Sequence, residues 1–340
     1  MSRVVVAMSG GVDSSVAAWL LRRQGHEVLG VFIRHGQGPS DPAGAEAAAE
    51  KLGIELRVLD CREQFNRIVE YFVDEYTAGR TPNPCIVCNA QIKFGRLIEY
   101  ADELGAEFLA TGHYARLLKL AEGEIALCRA ADESKDQAYV LLGIRRRLLP
   151  RLIFPLGEHR KQEIRQLAEQ IGLHAADRPE SQEICFVPDR DHTRFVREHS
   201  GRPDTAGEIV TVEGRRVGRH DGFERFTIGQ RRGLRVAMGE PYFVVRIEPE
   251  TRRVVIGPKE QLARKQLVAA GANWLVDEPA EPFRCRVKIR YRSRPEDATV
   301  EPLGGGRFRV CFDGPRYGIA PGQAAACYQG NRLLGGGWIE

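Results

Sequence analysis

The sequence lacks any long apolar run. None of its segments approaches the ~20 consecutive apolar residues that are needed to cross a bilayer. The opening "MSRVVVAMSGG" is a short apolar run that ends in glycines, which is not the pattern of a signal peptide. These absences argue against membrane and secreted classes, so we expect a soluble cytoplasmic protein with no membrane partner.

Internal repeats and low-complexity tracts are also absent. With 340 residues, 43% hydrophobic and 28% charged, the chain can form two or three domains with real cores, and disorder is not indicated. Its eight cysteines occur outside any secretory context. They are therefore better interpreted as reduced thiols or metal ligands than as a disulfide framework.

The first 200 residues have no excess of basic residues, because they contain 26 Lys and Arg and 29 Asp and Glu. Residues 201–265 carry 14 against 9, and residues 266–340 carry 10 against 8. Counterion release on phosphate neutralisation supplies most sequence-independent affinity for nucleic acids, so this distribution favours a polyanion partner for the later part of the chain. The charge distribution alone does not exclude the alternative that these basic residues lie on a merely solvated surface.

Short β-branched runs alternate with helical stretches up to about residue 175, from "VVVA" and "DSSVAAWLLRRQG" onwards. This alternation predicts an α/β domain, a parallel sheet with helices on both faces, over residues 1–200. After residue 200, short apolar segments separated by Gly and Pro predict a small central β-rich domain over 201–265 and a C-terminal β-barrel over 266–340. Between the two, "KEQLARKQLVAAGANWL" is consistent with a short helix and a linker.

The stretch "FRCRVKIRYRSR" alternates cations with apolar residues. A strand here would place these cations on one face: Arg284, Arg286, Lys288, Arg290, Arg292 and Arg294. Such a face would suit a phosphate backbone. The solvated outer face of a barrel explains the same pattern equally well.

The strongest local signal is "MSGGVDSS", Met8 to Ser15, directly after the first predicted strand and at the start of the first helix. Gly10 and Gly11 let the backbone approach an anion, while the serine hydroxyls and the helix N-terminus offer donors. The motif is neither a Walker A loop, which ends in GK[ST], nor GxGxxG. It predicts a phosphate-binding loop, and it resembles the PP-loop of the ATP pyrophosphatases.

A narrower resemblance covers nearly the whole chain. The sequence resembles the tRNA-specific 2-thiouridylases, because eight motifs occur in it in the order that they take in that family. These motifs are "MSGGVDSSVAAWLL", "AGRTPNPCIVCNAQIKF", "ATGHYARL", "SKDQAYVL", "ICF", "TIGQRRGL", "RYR" and "APGQAA". The resemblance implies replacement of the 2-oxygen of the wobble uridine by sulfur. It also implies a PP-loop catalytic domain followed by two tRNA-contacting domains, with ATP and Mg²⁺ as cofactors and tRNA and a sulfur-donor protein (a persulfide carrier or a cysteine desulfurase) as partners.

Carbonyl oxygen is a poor leaving group, so the chemistry calls for adenylation of the uridine 2-oxygen by ATP, followed by a soft sulfur nucleophile. By resemblance, Cys185 would carry the incoming persulfide, and Cys88 would be the second catalytic thiol, which forms a disulfide as AMP leaves.

The resemblance also transfers binding residues one at a time. The ATP-binding positions would be Ala7, Met8, Ser9, Gly10, Gly11, Val12, Asp13, Ser14, Ile33 and Gly112. The tRNA-binding positions would be Asn83, Pro84, Cys85, His113, Lys135, Asp136, Gln137, Arg290, Tyr291 and Gln323. Asn83 and Pro84 would help to shape the pocket for an extruded base, because chemistry on a stacked base requires flipping it.

Cys85 departs from one branch of the family, which has an aspartate there with a base-like role that a thiol does not inherit. Cys85, Cys88 and Cys185 together also form the ligand set of a 4Fe-4S cluster with one open iron, a rival to the persulfide route. No second CxxC or HxxxH completes a zinc site. The remaining cysteines, at positions 61, 128, 285, 311 and 327, are predicted to pack in cores.

A second departure is the short loop "FIRHGQGPSDPAGAEAAAEKLG", which is longer and acidic in many relatives. Two other functions stay open at this point. Another PP-loop adenylating enzyme, of the amidotransferase or argininosuccinate synthetase type, would use the same loop without catalytic thiols. A nucleic-acid-binding module on a degenerate ATP domain would show no turnover of ATP to pyrophosphate.

Overall fold

The computed structural model describes residues 1–36, 41–121, 123–173, 184–187, 191–201 and 204–340. The shortened loop after the second strand lies partly outside them. Within these ranges, none of the helices combines the length and apolar character required of a membrane span. The α-helices are α1 (Val12–Arg23), α2 (Ala43–Leu52), α3 (Arg62–Thr77), α4 (Pro84–Cys88), α5 (Leu97–Glu103), α6 (Lys161–Gln170) and α7 (His192–Ser200).

The strands form three sheets. The first contains β1 (Arg3–Ala7), β2 (Glu27–Arg34), β3 (Glu55–Asp60), β4 (Phe108–Ala110) and β7 (Leu152–Ile153). A hairpin between them consists of β5 (Ala115–Lys119) and β6 (Ile125–Arg129). The second sheet contains β8 (Gly207–Thr211), β9 (Arg216–His220), β10 (Phe243–Glu248) and β11 (Arg253–Gly257). The third contains β12 (Arg264–Trp274), β13 (Phe283–Lys288), β14 (Glu296–Gly304), β15 (Arg307–Arg316), β16 (Ala324–Gln329) and β17 (Arg332–Ile339).

The first sheet is parallel, in the order β3-β2-β1-β4-β7. Its central strand is buried on both faces: Val4 and Val6 pack with α1, α2 and α6, and Val5 packs with α3 and α5 on the other side. A strand that is covered on both sides needs a continuous apolar run, which "VVV" supplies. The predicted α/β fold is confirmed.

The two later sheets confirm the predicted β modules. The central sheet has the order β10-β11-β8-β9, and the C-terminal strands close into a barrel because β12 pairs with both β15 and β17. The β5–β6 hairpin, which belongs to the first domain in sequence, extends the barrel sheet where Cys128 pairs with Arg332. The sequence did not predict this pairing between the first domain and the barrel. The domain boundaries at 200 and 265 stay predictions.

Two local predictions were wrong in part. The stretch "KEQLARKQLVAAGANWL" does begin with a short 3-10 helix, Lys259–Leu262, but strand β12 follows it in place of a linker, because Leu267 and Ala269 alternate into the barrel core. The cation stripe over 284–294 is not one strand either. β13 ends at Lys288, and Ser293 closes a turn in which its hydroxyl accepts from the Arg290 N–H at 3.2 Å and donates to the Arg290 carbonyl at 2.9 Å.

Candidate active site

The phosphate loop lies between β1 and α1, at the carboxyl edge of the parallel sheet. Gly10 adopts a φ of +77°, and a Cβ there would lie 2.7 Å from the carbonyl carbon of Gly44, so only glycine fits. The Ser14 hydroxyl donates to the Gly11 carbonyl at 3.0 Å and accepts from the Ser9 N–H at 3.2 Å. These bonds fix a loop whose backbone surrounds the N-terminus of α1, where anions are stabilised.

The remaining predicted ATP residues lie beside this loop. Ile33 is near the end of β2, the neighbour of β1. Gly112 follows β4, and a Cβ there would lie 2.9 Å from the Ser14 nitrogen, so the two loops touch. The predicted ATP-binding residues thus lie on the loop between β1 and α1 or at the ends of the two strands beside β1: Ala7, Met8, Ser9, Gly10, Gly11, Val12, Asp13, Ser14, Ile33 and Gly112.

Two side chains that sequence reasoning missed contact Asp13. The Lys161 ammonium, at the start of α6, donates to both carboxylate oxygens at 2.6 and 2.8 Å, and the Tyr114 hydroxyl donates to one of them at 2.8 Å. Lys161 also lies 5.6 Å above the Tyr114 ring. Nothing in the local sequence signals these partners, which are separated from Asp13 by 101 and 148 positions.

Cys85 and Cys88 lie on α4. The helix begins at Pro84, whose ring suits a first helical position, and the Asn83 side-chain oxygen accepts from the Ile86 N–H at 3.4 Å as its cap. From Cys88 the chain continues directly into a π-helical segment, Asn89–Arg96, a rare conformation that occurs often at functional sites.

The C-terminal barrel holds the segment before α4 in place. The Gln323 amide donates to the carbonyls of Thr81 and Pro82 at 3.0 and 3.1 Å, and the Thr81 N–H donates to the Pro321 carbonyl at 2.8 Å. The buried Tyr139 hydroxyl donates to the Ala324 carbonyl at 2.9 Å. Gln323, predicted to contact tRNA, therefore also positions the thiol helix.

Cys185 lies in the short described segment 184–187, and its neighbour Phe186 anchors it. The Phe186 ring is 3% exposed. It packs edge-on against Phe65 and Phe72 of α3, with centroid distances of 5.5 and 5.2 Å, and is tilted against Phe195 of α7 at 5.3 Å. This aromatic contact holds Cys185 between α3 and α7, almost a hundred residues from Cys88 in sequence.

The three thiols share one recess. Cys85 and Cys185 are exposed, yet protein atoms surround them closely enough that burial raises the pKa of each thiol, for Cys185 to about 11. Cys88 is half-buried, and burial raises its pKa as well. The thiolate charges of Cys88 and Cys85 also raise the Cys185 pKa, so the structure brings the three predicted thiols close enough to interact.

Lys93, which sequence reasoning missed, is the nearby cation. It lies five residues after Cys88, one turn along the π-helical segment, and its charge lowers the pKa of Cys85, Cys88 and Cys185 against the larger effect of burial. The same charge, after burial, holds the pKa of His113 well below its usual range. His113 is therefore neutral at pH 7, with its Nδ1 2.7 Å from the Thr111 hydroxyl.

Cys85, Cys88 and Cys185 are also the predicted ligands of a metal cluster. Among the residues that the structure describes, no group of three His, Cys, Asp or Glu side chains is arranged to hold a metal ion. The four-iron cluster on these three cysteines stays a prediction. The Asp13 carboxylate does offer the hard oxygen donor that Mg²⁺ prefers beside a phosphate loop.

Other predicted tRNA residues have structural contacts. Asp136 is 5% exposed and accepts from the Ala130 and Ala138 N–H groups, and Gln137 holds Tyr114 through two hydrogen bonds. Lys135 is half-buried in the same loop.

The remaining predicted contacts are at the edge of the barrel. Arg290 donates to the Ile228 carbonyl of the central domain at 2.6 Å, and the Tyr291 ring is 39% exposed. Neighbouring Lys288 is buried over that ring, and burial lowers its pKa. Tyr291 is thus the predicted contact that remains open to a partner on this surface.

Four of the five other cysteines are buried as predicted: Cys61, Cys128, Cys285 and Cys327. Cys311 is only half-buried on β15, where its thiol lies 3.7 Å from a Glu301 carboxylate oxygen. Cys61 nevertheless lies close enough to Cys88 for the Cys88 charge to raise its pKa, after the larger effect of burial.

Family models match the chain in three consecutive parts: "tRNA methyl transferase HUP domain" over residues 2–189, "tRNA methyl transferase PRC-barrel domain" over 193–258 and "Aminomethyltransferase beta-barrel domain" over 264–339. Three similar curated proteins are named "tRNA-specific 2-thiouridylase MnmA". That of Rhodopirellula baltica is 49% identical over 100% of this chain and 96% of its own length. Those of Syntrophotalea carbinolica and Carboxydothermus hydrogenoformans are 47% and 46% identical, each over 99% of this chain and over 98% and 97% of their own lengths.

Proposed function

Because the chain belongs to the family of tRNA-specific 2-thiouridylases, we propose that it replaces the 2-oxygen of the wobble uridine of tRNA by sulfur, with ATP as activator. Sulfur transfer to tRNA follows from family membership. The observation that supports the detailed route is the closeness of Cys85, Cys88 and Cys185, whose charges act on one another's pKa, within the same domain as the phosphate loop.

In the first step the uridine 2-oxygen attacks the α-phosphorus of ATP, and the bond to the β-phosphate breaks, releasing pyrophosphate. The loop from Ser9 to Ser14 holds the phosphates at the N-terminus of α1. Mg²⁺ bound near Asp13 would neutralise phosphate charge. Lys161 adds a second positive charge at the same carboxylate, 2.6 Å away.

In the second step the terminal sulfur of a Cys185 persulfide attacks C2 of the adenylated base. The Cys88 thiolate then attacks the Cys185 sulfur, the persulfide S–S bond breaks, and AMP leaves as the C2 sulfur retains its electrons. The products are thiouridine and a Cys88–Cys185 disulfide, which two electrons from an external thiol reductant restore. Lys93 stabilises the anionic sulfur in the recess.

Sulfur has to reach Cys185 from outside, so the proposal includes a persulfide carrier or a cysteine desulfurase as donor. The exposed Cys185 is accessible to such a partner. A cluster on Cys85, Cys88 and Cys185 is the rival route. Iron quantitation of the anaerobically purified protein distinguishes the two routes.

The direct test is reconstitution. The purified chain is incubated with unmodified tRNA transcript, ATP, Mg²⁺, cysteine and a cysteine desulfurase, and the digested nucleosides are analysed by mass spectrometry. We expect 2-thiouridine at the wobble position with one AMP and one pyrophosphate per product. Pyrophosphate without thiouridine would favour a different adenylating enzyme, and tRNA binding without pyrophosphate would favour a binding module.

A further inference from the structure

The turn at residues 132–137 is joined to the phosphate loop by two separate connections. One runs through Tyr114: its N–H donates to the Gln137 side-chain oxygen at 2.9 Å, and the Gln137 N–H donates to its carbonyl at 2.8 Å. At its other end, the Tyr114 hydroxyl donates to Asp13 at 2.8 Å. Tyr114 thus spans the distance between the turn and the loop.

The second connection runs through Lys161. Its backbone N–H donates to the Asp132 carboxylate at 3.0 Å, while its ammonium group donates to Asp13 at 2.6 Å. Asp132 is held within the turn by the Ser134 N–H at 3.0 Å and by the Ser134 hydroxyl at 2.6 Å. Both connections therefore start at the turn and end at the same carboxylate.

We propose that Tyr114 and Lys161 are positioning residues that couple binding of RNA at the turn 132–137 to binding of nucleotide at the phosphate loop. The inference rests on the proposed function, because it takes the nucleotide and the RNA from there. It adds that the two ligands bind cooperatively and names the groups that carry the coupling.

The physical reason lies in the order that each ligand imposes. The turn belongs to no helix or strand, so a change in its position would break no hydrogen bond between strands of a sheet. An RNA that fixes the turn also fixes Tyr114 and Lys161 around Asp13. The nucleotide then meets an ordered loop and no longer loses the entropy of ordering it, which gives positive cooperativity. By linkage, nucleotide binding strengthens RNA binding by the same factor.

The charges at the phosphate loop also favour positive cooperativity between the two ligands. A triphosphate brings several negative charges next to Asp13, and Lys161 compensates for them only while its ammonium group stays at the loop. Asp132 holds the Lys161 backbone at the start of α6, so the position of this ammonium group depends on the turn.

The test measures the dissociation constant of α,β-methylene ATP, which resists cleavage at the reacting bond, with and without saturating tRNA transcript. For the unaltered full chain we expect tRNA to lower this constant at least about fivefold, within the usual range of allosteric coupling. Tyr114→Phe keeps the ring and removes the bond to Asp13, and we expect its ratio to fall below about twofold. A merely structural role would weaken binding equally in both states and leave the ratio unchanged.

Tyr100→Phe removes a hydroxyl from a half-buried tyrosine on α5, outside both connections, and serves as the matched control with an unchanged ratio. Gln137→Leu removes the side-chain hydrogen bond of the same connection at the turn, leaves the backbone bond in place, and gives a second reading if Tyr114→Phe does not fold. A ratio near one in the unaltered chain, or a full ratio in Tyr114→Phe, overturns the coupling even while thiolation proceeds. Absence of both nucleotide binding and thiolation overturns the proposed function itself, and the coupling with it.

Discussion

The phosphate loop and the thiol recess are built in opposite ways. The loop is contiguous, and its own hydrogen bonds close within Ser9–Ser15. The recess is assembled from distant parts: α4 is held by the barrel through Gln323, and Cys185 is held by Phe186 between α3 and α7. Nucleotide binding should therefore survive changes that abolish sulfur transfer, and the two half-reactions should be separable by mutation.

The largest effect is expected from the catalytic thiols. Cys88→Ser and Cys185→Ser should each lower thiolation by roughly a thousandfold or more, since the nucleophile is removed. Nucleotide binding and tRNA-dependent release of pyrophosphate should continue, because the loop is untouched. The matched control is Cys85→Ser, which should keep substantial activity. Equal loss of activity in Cys85→Ser, with about four irons per anaerobically purified chain, would favour the cluster route.

Asp13→Asn tests the phosphate loop, the first of the two sites compared. It keeps the shape of the side chain and removes the carboxylate from the first turn of α1. We expect pyrophosphate release to fall about a hundredfold or more, because phosphate charge is no longer organised at the loop. Alkylation of Cys88 and Cys185 by iodoacetamide, followed by peptide mass spectrometry, should be unaffected. A change in thiol reactivity would mean that the two sites are not separable.

Phe186→Ala tests whether an aromatic anchor positions Cys185. Removing this buried ring should lower the free energy of unfolding by about 3–5 kcal/mol and reduce thiolation, with little effect on nucleotide affinity of the folded protein. Denaturant unfolding and single-turnover thiolation measure the two effects. Phe186→Leu keeps most of the apolar volume and should recover most of both, whereas equal losses in the two variants would argue against an anchoring role.

Gln323→Ala should have a smaller effect. The substitution removes two hydrogen bonds to the carbonyls of Thr81 and Pro82, each contributing about 1 kcal/mol to the placement of α4. We expect thiolation to fall severalfold while nucleotide affinity stays constant. Gln329→Ala, at the exposed end of the strand β16 that follows Gln323, is the control. A fall in tRNA affinity alone would assign Gln323 to direct RNA contact.

The smallest expected effect is a shift in a pH profile. Burial raises the pKa of the Cys185 thiol to about 11, so less thiolate is present at neutral pH than in an ordinary cysteine. Since thiolate is the species that reacts, alkylation of Cys185 in the native protein should keep rising beyond pH 10. In the unfolded protein it should level off nearer pH 9. If alkylation of Cys185 levels off near pH 9 in the native protein as well as in the unfolded protein, burial does not raise the pKa of this thiol.

The same contrast explains what the sequence could predict. The phosphate loop was predictable because Gly10 and Ser14 act within one short motif, and the three thiols because they lie within motifs of a known family. Tyr114, Lys161 and Lys93 were missed because their roles arise from tertiary packing. The cation stripe over 284–294 failed because alternation does not reveal the turn at Ser293. The β5–β6 hairpin joins the barrel through a pairing that no local pattern encodes.

The most direct test of the two-thiol relay is a single turnover with enzyme loaded with persulfide. Stoichiometric tRNA and ATP are added without reductant, and the quenched protein is digested and analysed by non-reducing mass spectrometry, alongside nucleoside analysis of the tRNA. We predict one Cys88–Cys185 disulfide for each 2-thiouridine formed, with Cys85 still a free thiol. Thiouridine formed at full yield without that disulfide would contradict the account.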